Sequence, residues 1–94
     1  MITHLVFWKL QDEGKEENAR RIKQSLEALV GMVPGLLEMR VGTNFNGGEY
    51  DLALCSRFQD MAALHGYETH PAHLKVREFV QQVRIGRAAV DFEE

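Results

Sequence analysis

Residues 2–10 alternate as a β-strand does, but both faces of this strand are apolar. One face combines His4 with the apolar residues Ile2, Val6, Trp8 and Leu10. The other face carries Leu5 and Phe7. A strand from a sheet with one solvated face would show a polar side, so we expect this strand to be covered on both faces.

A helical period follows this strand. Its apolar positions are Ala19, Ile22, Leu26 and Leu29, and charged residues fill most of the intervening positions. Acidic residues come early in the segment and basic residues later, which suits the helix dipole. We expect the helix to stop at Gly31 and a turn to follow at Pro34-Gly35.

Two strands joined by a hairpin are predicted next. Leu37, Met39 and Val41 alternate with charged residues, which indicates a half-buried strand. Asn46-Gly47-Gly48 accepts positive φ and favours a hairpin turn. The following strand spans about residues 50–58, with Leu52, Leu54 and Phe58 on one of its faces.

A broken helix and a closing strand complete the chain. Asp60 can cap a short helix that ends near Tyr67. Pro71 interrupts this helix, because proline lacks a backbone donor, but it is tolerated in the first turn of a new helix. We expect that second helix over about residues 71–79 and the last strand from Ile85 to Phe92.

The order of elements predicts an α+β chain of ferredoxin-like βαββαβ topology, with a four-stranded antiparallel sheet and helices on one face. We expect a single domain over residues 1–94. The face of the first strand that the helices leave free needs a cover. We therefore expect a homodimer that packs sheet on sheet over Trp8 and its neighbours.

Composition and charge exclude several classes of partner. The net charge is −3, which provides no basic surface for nucleic acid or for an anionic membrane. Arg84 and Arg87 lie close together, and in a mildly acidic chain we interpret them as part of a solvated face. No apolar run could span a membrane and no signal-peptide pattern is present, so we expect a cytoplasmic protein.

The segment Tyr67-Glu-Thr-His-Pro-Ala-His73 holds the main candidate chemistry. It places one phenol and two imidazoles in a short stretch. A histidine titrates near neutral pH, and a tyrosine hydroxyl can donate a hydrogen bond to a developing oxyanion. Such a pair can move a proton next to a carbonyl group.

Structural interpretations of these residues stay open. His73, near the start of a helix, could form a hydrogen bond to His4 or to a backbone carbonyl of the sheet. Tyr67 could be a core aromatic residue, and His70 a surface or capping residue.

We expect no metal and no cofactor. The histidines have no carboxylate or sulfur ligand at a recognisable spacing. Cys55, the only cysteine, suits a small buried side chain. The glycines of the hairpin lack the helix and lysine of a phosphate-binding loop.

Five segments, in their order and spacing, resemble the stress-responsive A/B barrel domain family. They are Ile2-Thr-His-Leu-Val-Phe, Val33-Pro-Gly-Leu, Phe58-Gln-Asp-Met-Ala-Ala-Leu, Tyr67-Glu-Thr-His-Pro-Ala-His and Val90-Asp-Phe-Glu. The resemblance covers nearly the whole chain and implies a dimeric α+β barrel built from two ferredoxin-like subunits. Most members have no established activity, and a few are plant polyketide cyclases that perform an intramolecular aldol condensation.

The resemblance also implies roles for residues. The tyrosine and histidine of the cyclases match Tyr67 and His73, so His73 would be the general base and Tyr67 the oxyanion donor. His4 matches a position where the family commonly has histidine, and it could point into the same cavity. The segment after His73 departs from the glycine-bearing stretch of the cyclase.

Three functions therefore remain open. The first is a homodimer that binds a small apolar or aromatic molecule near Tyr67 and His73, with His4, Val6 and Trp8 as ligand-binding residues. The second is a cofactor-independent cyclase or lyase. The third is a structural or interaction module whose cavity is filled.

Overall fold

The computed structural model describes residues 1–94 and has the predicted order of elements. These are β1 (Ile2–Leu10), α1 (Lys15–Glu27), β2 (Leu36–Thr43), β3 (Leu52–Phe58), α2 (Met61–Thr69), α3 (Pro71–Val83) and β4 (Arg84–Glu93). The strands form one antiparallel sheet in the order β2-β3-β1-β4. The ferredoxin-like fold class predicted from the sequence is confirmed.

The core lies between the helices and one face of the sheet. β1 and β3 contribute alternate residues to it, namely Ile2, Val6, Trp8, Leu10, Leu52, Leu54 and Phe58. The four apolar positions predicted for the first helix are all buried against this face. Trp8 belongs to this core and is 6% exposed. The expectation that a second copy covers Trp8 is therefore wrong, because the helices of the same chain cover it.

The outer face of the sheet, which no helix covers, is apolar at its centre. Its apolar residues are Leu5, Phe7, Ala53, Cys55, Ala88, Val90 and Phe92, which pair across β3, β1 and β4. Phe7, Val90 and Phe92 are 40%, 58% and 45% exposed. The two-faced pattern of the first strand is therefore explained by helices on one side and by this outer face on the other.

Some boundaries differ from those predicted. α1 ends at Glu27, before Gly31, and the chain continues as turns. The register shifts between Leu36 and Glu38, so that Leu36 is buried and Leu37 is exposed. The assignment of Leu37 to the buried face was wrong because a sequence alternation does not show such an irregularity.

Side-chain caps define the starts of α2 and α3. The Asp60 carboxylate accepts a hydrogen bond from the Ala63 amide at 2.9 Å at the start of α2. His70 Nδ1 accepts one from the Ala72 amide at 3.1 Å, and Pro71 occupies the first turn of α3. The capping role expected for His70 is confirmed. α3 continues to Val83, beyond the predicted end. None of the three helices has the length and hydropathy needed to cross a membrane.

Candidate functional site

A cavity of about 440 Å³ opens between the sheet and α3. The helices pack over β1, β2 and β3 but leave the helix-facing side of β4 open. Val6 on β1 is buried, for example, whereas its neighbour on β4, Ala89, is exposed. The volume lies within the range of roughly 300–1,000 Å³ that is common for small-molecule pockets.

Tyr67 and His73 meet in the wall of this cavity. Tyr67 lies in the last turn of α2 and His73 in the first turn of α3, so the break at Pro71 brings the two rings together. The rings stack with their centroids 3.9 Å apart and an angle of 27° between their planes. His70 does not belong to this cluster, because its side chain caps α3.

His73 is a half-buried imidazole with one buried, unpaired ring nitrogen. Its Nδ1 atom is buried and has no hydrogen-bond partner in the chain. Burial lowers the pKa of His73 below its ordinary value; the charges of Arg77 and His4 lower it further, while the nearby carbonyl groups of Glu68 and Tyr67 oppose the shift. The ring is therefore neutral at neutral pH and able to accept a proton.

Tyr67 is held as a neutral phenol. The residue is 2% exposed, and burial raises the pKa of its hydroxyl far above the ordinary value. The positive charge of Arg87 acts in the opposite direction but does not offset the effect of burial. Because the hydroxyl stays protonated, Tyr67 can act as a hydrogen-bond donor within the cavity.

His4 lies on the sheet side of the cavity and has its own partner. It stands opposite Asp91 in the register of β1 and β4, and its Nδ1 donates a hydrogen bond to the Asp91 carboxylate. Its ring centroid is 6.3 Å from that of Tyr67, in an edge-to-face arrangement. The suggested bond between His4 and His73 is therefore wrong, because the strand register gives His4 a carboxylate instead.

The five site residues suggested by the sequence, His4, Val6, Trp8, Tyr67 and His73, all line this one cavity. Val6 and Trp8 form part of its apolar floor. Their roles in ligand binding or catalysis stay predictions, since the structure gives only their positions.

Three arginines that sequence reasoning missed also line the cavity: Arg77, Arg84 and Arg87. The sequence interpretation of Arg84 and Arg87 as part of a solvated face agrees with their exposure, since Arg87 is exposed and Arg84 half-buried, but it did not show that both border the cavity. The signal that could have found Arg87 is strand register, since it stands opposite Trp8 on the face that the helices border.

The remaining metal-ligating side chains do not gather at the site. No three histidine, cysteine or acidic residues lie in an arrangement that could hold a metal ion. His65 is exposed on α2, and Cys55 is half-buried on the outer face of the sheet.

Comparison with solved structures identifies similar proteins. No curated protein matches its sequence. Among solved structures, a dimeric protein of unknown function and ferredoxin-like fold from Bacteroides fragilis NCTC 9343 is 30% identical, with a TM-score of 0.91; the match covers 99% of this chain and 95% of that one. A dimeric ferredoxin-like protein of unknown function from Jannaschia sp. CCS1 is also 30% identical, with a TM-score of 0.86 and coverages of 99% and 98%.

The family comparison matches residues 2–94, nearly the whole chain, to the Stress Responsive A/B Barrel Domain. The segments that suggested this family, from β1 to the end of β4, lie within the matched range. By this match and by the fold, the chain belongs to the stress-responsive A/B barrel domain family.

Proposed function

We propose that this protein acts as a homodimer that binds a small molecule with an apolar or aromatic body in the cavity beside Tyr67 and His73. The observation that carries this proposal is His73 Nδ1, a buried atom without a partner in the wall of a ligand-sized cavity. Nearly all buried polar atoms in folded proteins have hydrogen-bond partners. A bound ligand would supply the partner that the chain does not.

The lining supports a ligand with an apolar body. Half of its sixteen residues are hydrophobic, and apolar walls with a few placed polar groups are typical of small-molecule sites. Val6 and Trp8 line the cavity on the sheet side, and Val76 and Val80 line it on α3. An open cavity of this size argues against a module whose interior is filled.

The apolar outer face supports the homodimer. Exposed apolar patches of this kind mark interaction surfaces, and a symmetric second copy offers an equally apolar face. The similar proteins from Bacteroides fragilis and Jannaschia are dimeric.

The test is to fill the cavity and measure binding of 2-naphthol, a neutral aromatic probe, by isothermal titration calorimetry. Ala89→Phe places a ring in the cavity, so we expect the affinity of this variant for 2-naphthol to fall at least about tenfold, equivalent to about 1.4 kcal/mol. Ala62→Phe makes the same change on an exposed position of α2 outside the lining and should bind as the wild type does. Equal binding by Ala89→Phe, or no binding by the wild type, would contradict the proposal.

A second candidate function is a cofactor-independent cyclase or lyase of the aldol type. The stacked pair of a neutral His73 and a protonated Tyr67 favours it. His73 would remove a proton from a carbon between two carbonyl groups, and Tyr67 would donate a hydrogen bond to the resulting enolate oxygen.

The incorporation of deuterium into a β-diketone such as acetylacetone, monitored by NMR in deuterium oxide, tests this step. His73→Ala should lower the protein-catalysed rate by about 10²–10⁴ while circular dichroism shows an intact fold. An unchanged rate in that variant would exclude His73 as the base.

A further inference from the structure

Three guanidinium groups border the cavity without a partner in the chain. Arg77, Arg84 and Arg87 all line it. Arg77 and Arg87 are exposed and Arg84 is half-buried, and none of them takes part in an ion pair, whereas Arg20, which is also exposed, pairs with Glu17. These arginines therefore do not serve to hold this chain together by ion pairs.

The acidic groups of the lining do not neutralise them. Two carboxylates border the cavity, Glu68 and Asp91. Asp91 is engaged by His4, and Glu68 is exposed and forms no ion pair. When histidines are counted as neutral, the three arginines and two carboxylates give the lining a positive formal charge, although the whole chain has a net charge of −3.

The arginines reach the cavity from the same elements that hold the aromatic pair. Arg77 follows His73 by four residues on α3, so both lie on the same side of that helix. Arg84 follows α3 directly as the first residue of β4, and Arg87 lies opposite Trp8. The charge of Arg77 lowers the pKa of His73, and the charge of Arg87 acts on Tyr67, which indicates that both guanidinium groups lie near the pair.

We propose that Arg77, Arg84 and Arg87 bind a carboxylate on the ligand, so that the cavity selects small aromatic or aliphatic acids over neutral molecules of the same size. Guanidinium groups bind carboxylates through paired, charge-assisted hydrogen bonds. The apolar floor holds the body of the acid, and the guanidinium groups hold its carboxylate. This inference rests on the proposed function, because it names the ligand class of the same cavity.

The experiment compares 2-naphthoate with 2-naphthol, which share a ring system and differ in charge at pH 7. In calorimetric titrations at low ionic strength, we expect naphthoate to bind the wild-type protein at least about tenfold more tightly, a difference of about 1.4 kcal/mol. Added salt should reduce the difference, since it screens exposed charges. Arg77→Gln and Arg87→Gln should each lose about tenfold in naphthoate affinity and keep the naphthol affinity.

Arg20→Gln is the matched control. It removes one positive charge from the exposed face of α1, and it should leave both affinities unchanged. Retained binding of naphthol by the arginine variants also shows that their cavities are folded.

The two proposals fail in different ways. If the wild-type protein binds naphthol more tightly than naphthoate, or binds the two equally, the anion site is overturned. The proposed function of the cavity then stands. Absence of binding to both compounds would overturn the two proposals together. If Arg77→Gln and Arg87→Gln dissociate the dimer without changing naphthoate affinity, the arginines serve the subunit contact and the anion site is excluded.

Discussion

The two faces of the sheet differ most clearly where β1 and β4 lie side by side. On β1 the helix-facing residues are apolar, apart from His4, as expected for the inner face of a sheet. On β4 the pattern is inverted. Its helix-facing residues are Arg87, Ala89 and Asp91, and its outer residues are Ala88, Val90 and Phe92.

In β4 the polar side faces the helices and the apolar side faces outward, which is the reverse of the usual arrangement. The helix-facing side is polar because it borders an open cavity rather than the core. The outer side is apolar although no part of this chain covers it. β4 is also an edge strand that pairs only with β1. One strand thus supplies both the polar rim of the cavity and part of the surface that we assign to the dimer.

The largest expected effect comes from placing a charge on the outer face. Phe7 lies there between Ala53 on β3 and Ala88 on β4. In a sheet-on-sheet dimer, Phe7→Asp would bury an unpaired carboxylate, which costs about 3–5 kcal/mol. The dimer dissociation constant should then rise at least about 100-fold, as measured by sedimentation velocity over a dilution series.

Met61→Asp is the control for this change. Met61 is 55% exposed at the start of α2, on the helical side of the molecule, so its substitution should leave the dimer intact. A Phe7→Asp protein that sediments as the wild type does would remove the outer face from the subunit contact.

The sequence predicted the elements because their signals are local. Alternation marks β1, and a 3.6-residue period marks α1. Proline is tolerated in a first helical turn and marks the start of α3. Gly47 and Gly48 have the positive φ that their hairpin position suggested. Each of these signals is complete within a few consecutive residues.

The sequence did not predict contacts that depend on strand register. His4 and Asp91 are 87 positions apart, and no periodicity within either strand shows that they face each other. For the same reason the sequence did not show that Arg87, which is exposed, borders the cavity. The family resemblance supplied Tyr67 and His73, but the partner of each imidazole required the register of β1 and β4.

A smaller effect should distinguish the two imidazoles of the cavity. His73→Phe replaces a half-buried ring whose buried Nδ1 is unpaired, so we expect the free energy of unfolding to stay constant or to rise by up to about 1–3 kcal/mol. His4→Phe leaves Asp91 without its partner and should lower that free energy by up to about 1 kcal/mol, because Asp91 is half exposed. Urea unfolding at one fixed protein concentration measures both changes.

The signs of the two changes are the decisive result. If His73→Phe lowered the free energy of unfolding as much as His4→Phe did, His73 would be a structural residue, and the argument for a ligand at its Nδ1 would fail.

The smallest effect concerns the pH dependence of stability. Burial holds the pKa of folded His73 below 6.5, its ordinary value. As the pH falls below that value, the unfolded chain takes up a proton that the folded chain does not bind, so stability decreases until the pH is below the folded pKa. The slope from this residue is at most about 1.4 kcal/mol per pH unit.

The carboxylates with perturbed pKa values act in a lower pH range. The hydrogen bond from Lys23 lowers the pKa of Glu27, and that from the Leu10 amide lowers the pKa of Asp51. Their stabilising effect is complete above the unfolded pKa values of 4.5 and 3.8 and is lost as the pH falls through the folded pKa values.

Unfolding free energies measured between pH 7.5 and 5.5 therefore report on the histidines and not on these carboxylates. His73→Phe should flatten the wild-type slope in this range, whereas His65→Phe, a change at an exposed position of α2, should preserve it; an unchanged slope in His73→Phe would assign the titration to another group.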